Sequence, residues 1–248
     1  MDDEREDQYV SALRTDRTLA QRSQKYFAEK KSGQQEFLEH LLEGDHFAFS
    51  DVADVACGGG ALSFWLSRKY PQCRYTLIDL NPDFLSDAAN LNEGRNFRFV
   101  LGNIYDLKEI PDDSFDLTCC WQTLSWLEQP EKALQELVRI TKRGGRIYAS
   151  SLFNAVHDVD IFSRVLDWTR DSTRQGHYAM YNTYSMKTVR SWIQDRVDHV
   201  ELFDFELDVD LTERARGLGT YTVKAACGKR LQISAGILLN WGVLKIIK

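Results

Sequence analysis

Apolar positions along this chain fall into two rhythms. Short continuous runs read as buried strands, and three-to-four-residue spacings read as amphipathic helices. The run 52–56 breaks into Gly58-Gly59-Gly60 and resumes as a helical pattern at Leu62, Trp65 and Leu66. Strand, tight turn and helix thus follow one another, with the turn stripped of side chains. Residues 75–79 form a second strand that ends in an acid, Asp79, and Asn81-Pro82 then supply an N-cap and a first-turn residue for a helix. Gln129-Pro130-Glu131 opens another helix, with Leu134, Leu137 and Val138 on one face, which is expected to stop at Gly144-Gly145. Residues 146–150 follow as a strand. Upstream, helices are expected over 9–19, 22–31 and 34–42, the last with Leu38, Leu41 and Leu42 as its apolar face. Downstream, Ile161, Val165, Leu166 and Trp168 suggest a helix inside the long connection 151–184, and Ser185 caps one that runs to Asp195 on Val189, Trp192 and Ile193. The stretch 200–210 alternates as a strand, and 220–223 and 230–234 flank Cys227-Gly228-Lys229 as a β-hairpin. With no repeat and no low-complexity linker, a single domain over 1–248 is expected.

The glycine turn is the most informative of these features. Glycine admits positive φ and lets a backbone approach a ligand closely, and the helix start beyond it offers unpaired N–H groups and a positive dipole end. A ligand-free tight turn is the plain alternative. An acid at the tip of the second strand, about 20 residues on, is placed to bind ribose hydroxyls, which favours a nucleotide. A Walker-type loop needs Gly-Lys-Ser/Thr, and Ala61-Leu62-Ser63 stands there instead. A dinucleotide fingerprint needs a third glycine where this chain has Ser63.

Asp54-Val55-Ala56-Cys57-Gly58-Gly59-Gly60 resembles the acid-x-Gly-x-Gly-x-Gly motif of class I S-adenosylmethionine-dependent methyltransferases of the small-molecule type, with Ala56 in place of the first glycine. The resemblance spans about 50–155. It implies a Rossmann-like α/β fold: a seven-stranded, mostly parallel sheet with helices on both faces, an antiparallel last strand near 243–247, N-terminal helices and the β-hairpin as an insertion near the C-terminus. It implies a helical cap over 1–45, in which Tyr26 and Phe27 would lie over the cofactor, a cofactor-binding core over 50–155, and acceptor-side insertions at 156–184 and 212–236. Its cofactor is S-adenosyl-L-methionine, leaving S-adenosyl-L-homocysteine. Asp54, Ala56, Cys57 and Gly58 would then cradle the cofactor, Asp79 would hold the ribose, and Leu80 and Ile104 would cover the two adenine faces. Asn103, where the family has Asp, would accept from the adenine amine, and Cys120 would border the methionine end. The segment 121–126 would make backbone contacts to the methionine moiety and add one wall of the acceptor pocket.

Composition narrows the partners. The chain has 248 residues, 43% apolar and 27% charged, with a net charge of −6. That acidic balance argues against nucleic acid, which calls for a basic stripe. No apolar run reaches the roughly 18 residues that a membrane span needs. Five cysteines lacking zinc-site spacing read as reduced thiols, so a cytoplasmic setting and no metal are expected. The expected reaction is methyl transfer to an oxygen or nitrogen of a small metabolite. An RNA or protein methyltransferase, or a cofactor-binding protein without turnover, are the alternatives. If the acceptor must lose a proton, His157 is the first candidate base, then His177 and Tyr181. The 217–235 ribbon fits either a pocket wall or a homodimer edge. The acceptor itself is not written in the sequence.

Overall fold

The computed structural model describes residues 29–94, 96–167, 177–212, 220–234 and 236–248. The expected helices over 9–19 and 22–31, with Tyr26 and Phe27, lie outside the described residues except for the last few positions of the second. The described chain begins with helix α1, Gly33–Asp45. Ser32 and Gln35 fix its start as a capping box: the Gln35 amide donates to Ser32 Oγ at 3.2 Å, and the Ser32 amide donates to Gln35 Oε1 at 2.9 Å.

Five strands then alternate with helices: β1 (Asp51–Val55), α2 (Ala61–Lys69), β2 (Arg74–Asp79), α3 (Pro82–Leu91), β3 (Phe97–Leu101), β4 (Phe115–Trp121), α4 (Pro130–Ile140) and β5 (Thr141–Asn154). A 3₁₀ turn, Leu124–Trp126, joins β4 to α4. Next come the short strands β6 (Val165–Asp167), β7 (His177–Ala179) and β8 (Tyr184–Ser185), helix α5 (Met186–Ile193), and β9 (His199–Asp204). The strands β10 (Tyr221–Lys224), β11 (Arg230–Ser234), β12 (Ile237–Leu238) and β13 (Trp241–Ile247) complete the described chain. The main sheet runs β3-β2-β1-β4-β5-β13-β9, with β8 beside the end of β5. Its strands are parallel except β13, which pairs antiparallel with both β5 and β9. This is the expected seven-stranded Rossmann-like sheet with an inverted last strand. The expected hairpin is present as β10 and β11, and β12 extends it to a three-stranded ribbon.

Helices cover both faces, as parallel strands require. On one face α1 and α2 bury Leu38, Leu42, Leu62 and Leu66 against Val52, Leu117 and Tyr148. On the other, α4 and α5 bury Leu134, Leu137, Val189 and Ile193 against Ala53, Val55 and Ile147. Each such side chain contributes about 1.5–3 kcal/mol by leaving water. The C-terminal end of α1 is tied to the sheet by charge. Asp45 accepts from Arg146 Nε at 2.9 Å, from Tyr148 OH at 3.1 Å, and from Lys245. Burial works to raise the Asp45 pKa, but the Lys245 and Arg146 contacts outweigh it and hold the carboxyl below its ordinary value.

The sequence pattern misleads at three places. The helix expected from Ile161, Val165, Leu166 and Trp168 is instead, over the described residues 161–167, an extended arm, Trp168 lying outside the described residues. Ile161 exchanges backbone hydrogen bonds with Thr183, and Val165–Asp167 pairs antiparallel with His177–Ala179. The 161/165 spacing imitates a helix, but 181–183 compete for the backbone: the Ser163 amide donates to Asn182 Oδ1 and the Tyr181 amide to Ser163 Oγ. Helix α4 stops at Ile140 rather than at the glycine pair. Thr141 already pairs with Phe115, and 142–145 form a bulge before Leu117 meets Arg146. A Cβ on Gly145 would sit 2.8 Å from the Asp116 carbonyl oxygen, so the glycine serves the bulge and not a helix cap. Strand β9 ends at Asp204, well short of the expected 210. Among the described residues no helix is long and apolar enough to cross a membrane.

Candidate cofactor and acceptor site

The C-terminal ends of β1, β2, β3 and β4 lie side by side and bring the glycine turn and Asp79 together. Leaving β1, the chain takes positive φ at Ala56 (57°), Gly58 (51°) and Gly60 (75°). The two glycines do different work. A Cβ on Gly58 would meet nothing within 4 Å, so this side of the turn is open. A Cβ on Gly60 would lie 2.5 Å from Asn92 Nδ2 and 2.9 Å from Leu77, so here the missing side chain lets α2 and α3 close together. Asn92 Nδ2 donates to the Gly60 carbonyl at 3.1 Å and locks that contact.

Ala56 is where the chain departs from a glycine, and its positive φ costs about 1–2 kcal/mol for an L residue. Ala56→Gly is expected to raise stability by about 1 kcal/mol, part of the relief being lost to the greater freedom of the unfolded glycine. A urea melt of both proteins checks this; an unchanged or lowered midpoint contradicts it.

Asp79 closes the turn from the second strand. Its Oδ2 accepts from the Gly58 amide at 2.8 Å and its Oδ1 from the Asn81 amide at 2.9 Å. Burial pushes its pKa up, and the amides of Asn81, Gly58 and Leu80 pull against that. Asp54, two strand positions before the turn, is 1% exposed. Its Oδ2 accepts from Ser63 Oγ at 2.7 Å, and its Oδ1 has no hydrogen-bond partner among the described residues. Burial raises this carboxyl to about 7; the Ser63 bonds oppose the rise and the Asp79 charge adds to it. Cys57 Sγ contacts the Gly58 carbonyl at 3.3 Å, and burial pushes its thiol well up.

The other candidates spread around this edge. Leu80 is 39% exposed beside Asp79. Gly102 joins β3 to β2 through its amide on the Asp79 carbonyl at 3.0 Å, and Asn103 follows with its Oδ1 accepting from the Tyr105 amide at 2.9 Å. Ile104 packs half-buried against the core. Cys120, beside Val55, is fully buried, and burial lifts its thiol to about 12.

The three base candidates are not brought together in one place. His157 is exposed in the loop beyond β5, where its amide donates to Asn154 Oδ1 at 3.2 Å. The His177 backbone pairs with Asp167 in the β6–β7 arm, and its side chain lies outside the described residues. Tyr181 is buried, edge-on to Trp126 at 4.3 Å between ring centres, and clusters with Leu152 and Leu239. Sequence reasoning missed Ser63 as the partner of Asp54. It also missed Gln34, whose Oε1 accepts from Ser150 Oγ at 2.7 Å across 116 residues of chain. No local signal announces either contact. Among the described residues no cluster of three or more His, Cys, Asp or Glu is placed to hold a metal ion.

Comparison with known proteins agrees with this geometry. Residues 53–149 match the family described as the methyltransferase domain. The thiol S-methyltransferase TMT1B of Mus musculus is 32% identical over 102 residues, covering 39% of this chain and 40% of that protein. The demethylmenaquinone methyltransferase of Chlamydia muridarum is 28% identical over 126 residues, covering 49% and 52%. The chain thus spans about half or less of the length of these curated relatives. The solved 1,6-didemethyltoxoflavin-N1-methyltransferase of Burkholderia thailandensis shares the fold at a TM-score of 0.54 and 14% identity, over 97% of this chain and 88% of that one. With the strand order, the open glycine turn and the acid at the tip of β2, the chain carries over residues 53–149 a methyltransferase domain of the class I, S-adenosylmethionine-dependent kind.

Proposed function

We propose that this protein transfers the methyl group of S-adenosyl-L-methionine to an oxygen or nitrogen of a small molecule with an apolar or aromatic body. The observation that carries the cofactor half is the pairing of the open Gly58 turn with the Asp79 carboxylate. An amide-lined opening beside a carboxylate fits an adenosine ribose, and the orphaned Asp54 Oδ1 fits a cationic amino-acid end. The bound cofactor supplies an already activated methyl on a sulfonium, so the protein's share is alignment and exclusion of water. Asp79 would hold the ribose hydroxyls, Leu80 and Ile104 would border the base, and Asn103 would read its edge. Alignment of this kind contributes several kcal/mol to a displacement. The acceptor half rests on Trp126, Tyr181, Leu152 and Leu239, an apolar cluster that Val165, Ala179, Ile237 and Trp241 also pack against. Of the groups proposed to take the acceptor's proton, His157, His177 and Tyr181, the buried Tyr181 is better sheltered than the exposed His157.

Asp79→Ala is expected to weaken S-adenosylhomocysteine binding by about 1–3 kcal/mol, the range for hydrogen bonds to a charged acceptor. Calorimetry measures it, and unchanged affinity removes the ribose role. Turnover is read as methyl label transferred from the cofactor to a panel of phenols, amines and thiols. Wild-type protein that binds no cofactor defeats the proposal; label appearing in RNA or protein redirects it to a macromolecular acceptor.

A further inference from the structure

The ribbon β10–β12 turns toward the body of the protein the face that packing alone would leave outside. Residues directly opposite in an antiparallel pair share a face, as do alternate residues along a strand. One face therefore carries Tyr221, Val223, Leu231, Ile233 and Leu238, and the other Thr222, Gln232, Ser234 and Ile237. A ribbon added only to cover apolar surface buries its apolar face. Here Val223 and Leu238 of that face are 44% and 43% exposed, whereas Gln232 and Ser234 are only 7% and 3% exposed. What the polar face covers is the acceptor-side cluster. Ile237, directly opposite Ser234, packs against Leu152, Tyr181 and Leu239, and the Leu239 amide donates to the Gln232 carbonyl at 2.8 Å. Thr222, opposite Gln232, has a use within the chain, since its Oγ1 accepts from the Leu211 amide at 2.8 Å. Gln232 and Ser234 have none: no described residue shares a hydrogen bond with the Gln232 carboxamide or the Ser234 hydroxyl. A carboxamide both donates and accepts, and burying one unpaired is costly. The ribbon is held in place at its other end by ion pairs, Lys224 and Arg230 to Asp210 at 3.2 and 2.7 Å.

From two unpaired polar side chains turned onto an aromatic cluster we infer that Gln232 and Ser234 read the methyl acceptor, and that the acceptor is a planar heterocycle with an amide-type edge, an N–H beside a C=O. The Trp126 and Tyr181 rings would bound its plane. The Gln232 carboxamide would meet that edge with two hydrogen bonds, as a carboxamide does on a donor–acceptor edge of a base. Ser234 Oγ would take the other lone pair of the carbonyl. The inference rests on the methyl-transfer reading and narrows it: a phenol, with one hydroxyl, would leave part of the carboxamide unpaired, and sites built to hydrogen-bond a group reject ligands that lack it.

The test is calorimetry on protein saturated with S-adenosylhomocysteine. The probes are 2-quinolinone, which has a fused ring and the amide edge, quinoline, which keeps the ring and lacks that edge, and 2-naphthol, which has a lone hydroxyl. Wild-type protein is expected to bind 2-quinolinone about tenfold or more tightly than either of the others. Gln232→Met is expected to lose about tenfold on 2-quinolinone and less than about twofold on quinoline and on S-adenosylhomocysteine. It is also expected to raise the urea midpoint of the ligand-free protein, because it removes an unpaired buried amide; a carboxamide kept for structure would give a lower midpoint. Ser234→Ala, with the same selective loss at about threefold, keeps the test decisive if Gln232→Met folds poorly. Wild-type protein that binds S-adenosylhomocysteine but does not prefer 2-quinolinone, or variants that lose equally on all three probes or on none, overturn the inference and leave the cofactor reading intact. Wild-type protein that binds no S-adenosylhomocysteine overturns the cofactor reading and this inference with it.

Discussion

Asp54→Asn is expected to make the ligand-free protein more stable at pH 8, by as much as about 4 kcal/mol, and to make no difference near pH 4. The carboxyl titrates at about 7 in the folded chain, against an ordinary value of 3.8. Between those values the unfolded chain has given up the proton while the folded chain still holds it. The stability contributed by this group is therefore complete below pH 3.8, declines as pH rises, and is gone above about pH 7. Roughly three pH units at about 1.4 kcal/mol each set the size. Among the described residues no cation offsets the charge: the groups that act on Asp54 are the Ser63 hydroxyl and the Asp79 carboxylate, and the thiols of Cys57, Cys119 and Cys120 are pushed upward by burial with the Asp54 charge adding to it. Asparagine cannot ionise and still offers an oxygen to Ser63. Urea melts of both proteins from pH 4 to pH 9 give the difference, and parallel profiles refute it. Asp116 bends both profiles alike: burial raises it, but Lys142 and the amides of Asp51 and Ser50 hold it at about 2, so its effect is confined to pH below about 4. The same substitution is expected to weaken S-adenosylhomocysteine binding, which identifies the buried charge as stability given up for binding.

Asp45→Ala is expected to destabilise the protein by about 3–5 kcal/mol. The substitution strands Lys245 and Arg146, whose side chains are only 14% and 16% exposed, and removes the acceptor of the Tyr148 hydroxyl. The cost arises mainly from leaving two cations unpaired rather than from the attraction lost. A triple variant that also carries Arg146→Met and Lys245→Met is therefore expected to recover most of the stability, since an apolar replacement of a whole buried ion cluster is often neutral. Equilibrium urea denaturation of the single and triple variants separates the two causes. A triple variant weaker than the single one contradicts the argument.

What could be read in the sequence was whatever local spacing decides. The glycine turn, the acid at 79, Ser185 and Asn81 as helix caps, and the hairpin around Gly228 all rest on neighbours a few residues apart. What could not be read was settled by distant partners. Residues 161–167 became an arm because 181–183 took their backbone groups. Gly144 and Gly145 were given over to a bulge because β4 was already paired with Thr141. The resemblance pointed to Asp54, but not to its missing partner: an unsatisfied oxygen depends on everything packed around it. Gln34 and Ser150 meet from opposite ends of the domain, and neither residue type signals the other. Ala56 runs the other way, a position where the sequence argued against positive φ and the turn imposed it.

The placement of β13 between β5 and β9 constrains how this domain is born. During synthesis the outer edge of β5 has no neighbour until residues 241–247 have left the ribosome, so one side of the Leu152–Ile147 stretch stays open to stray strands. At ordinary translation speeds that interval lasts roughly 5–20 s. The half of the sheet that carries the glycine turn can pair in order as it emerges, whereas the half that carries Tyr148 and Ser150 must wait. A nascent chain stalled before residue 241 would then expose a sticky edge next to a nearly finished nucleotide cradle, and chaperone capture is expected to concentrate in that window.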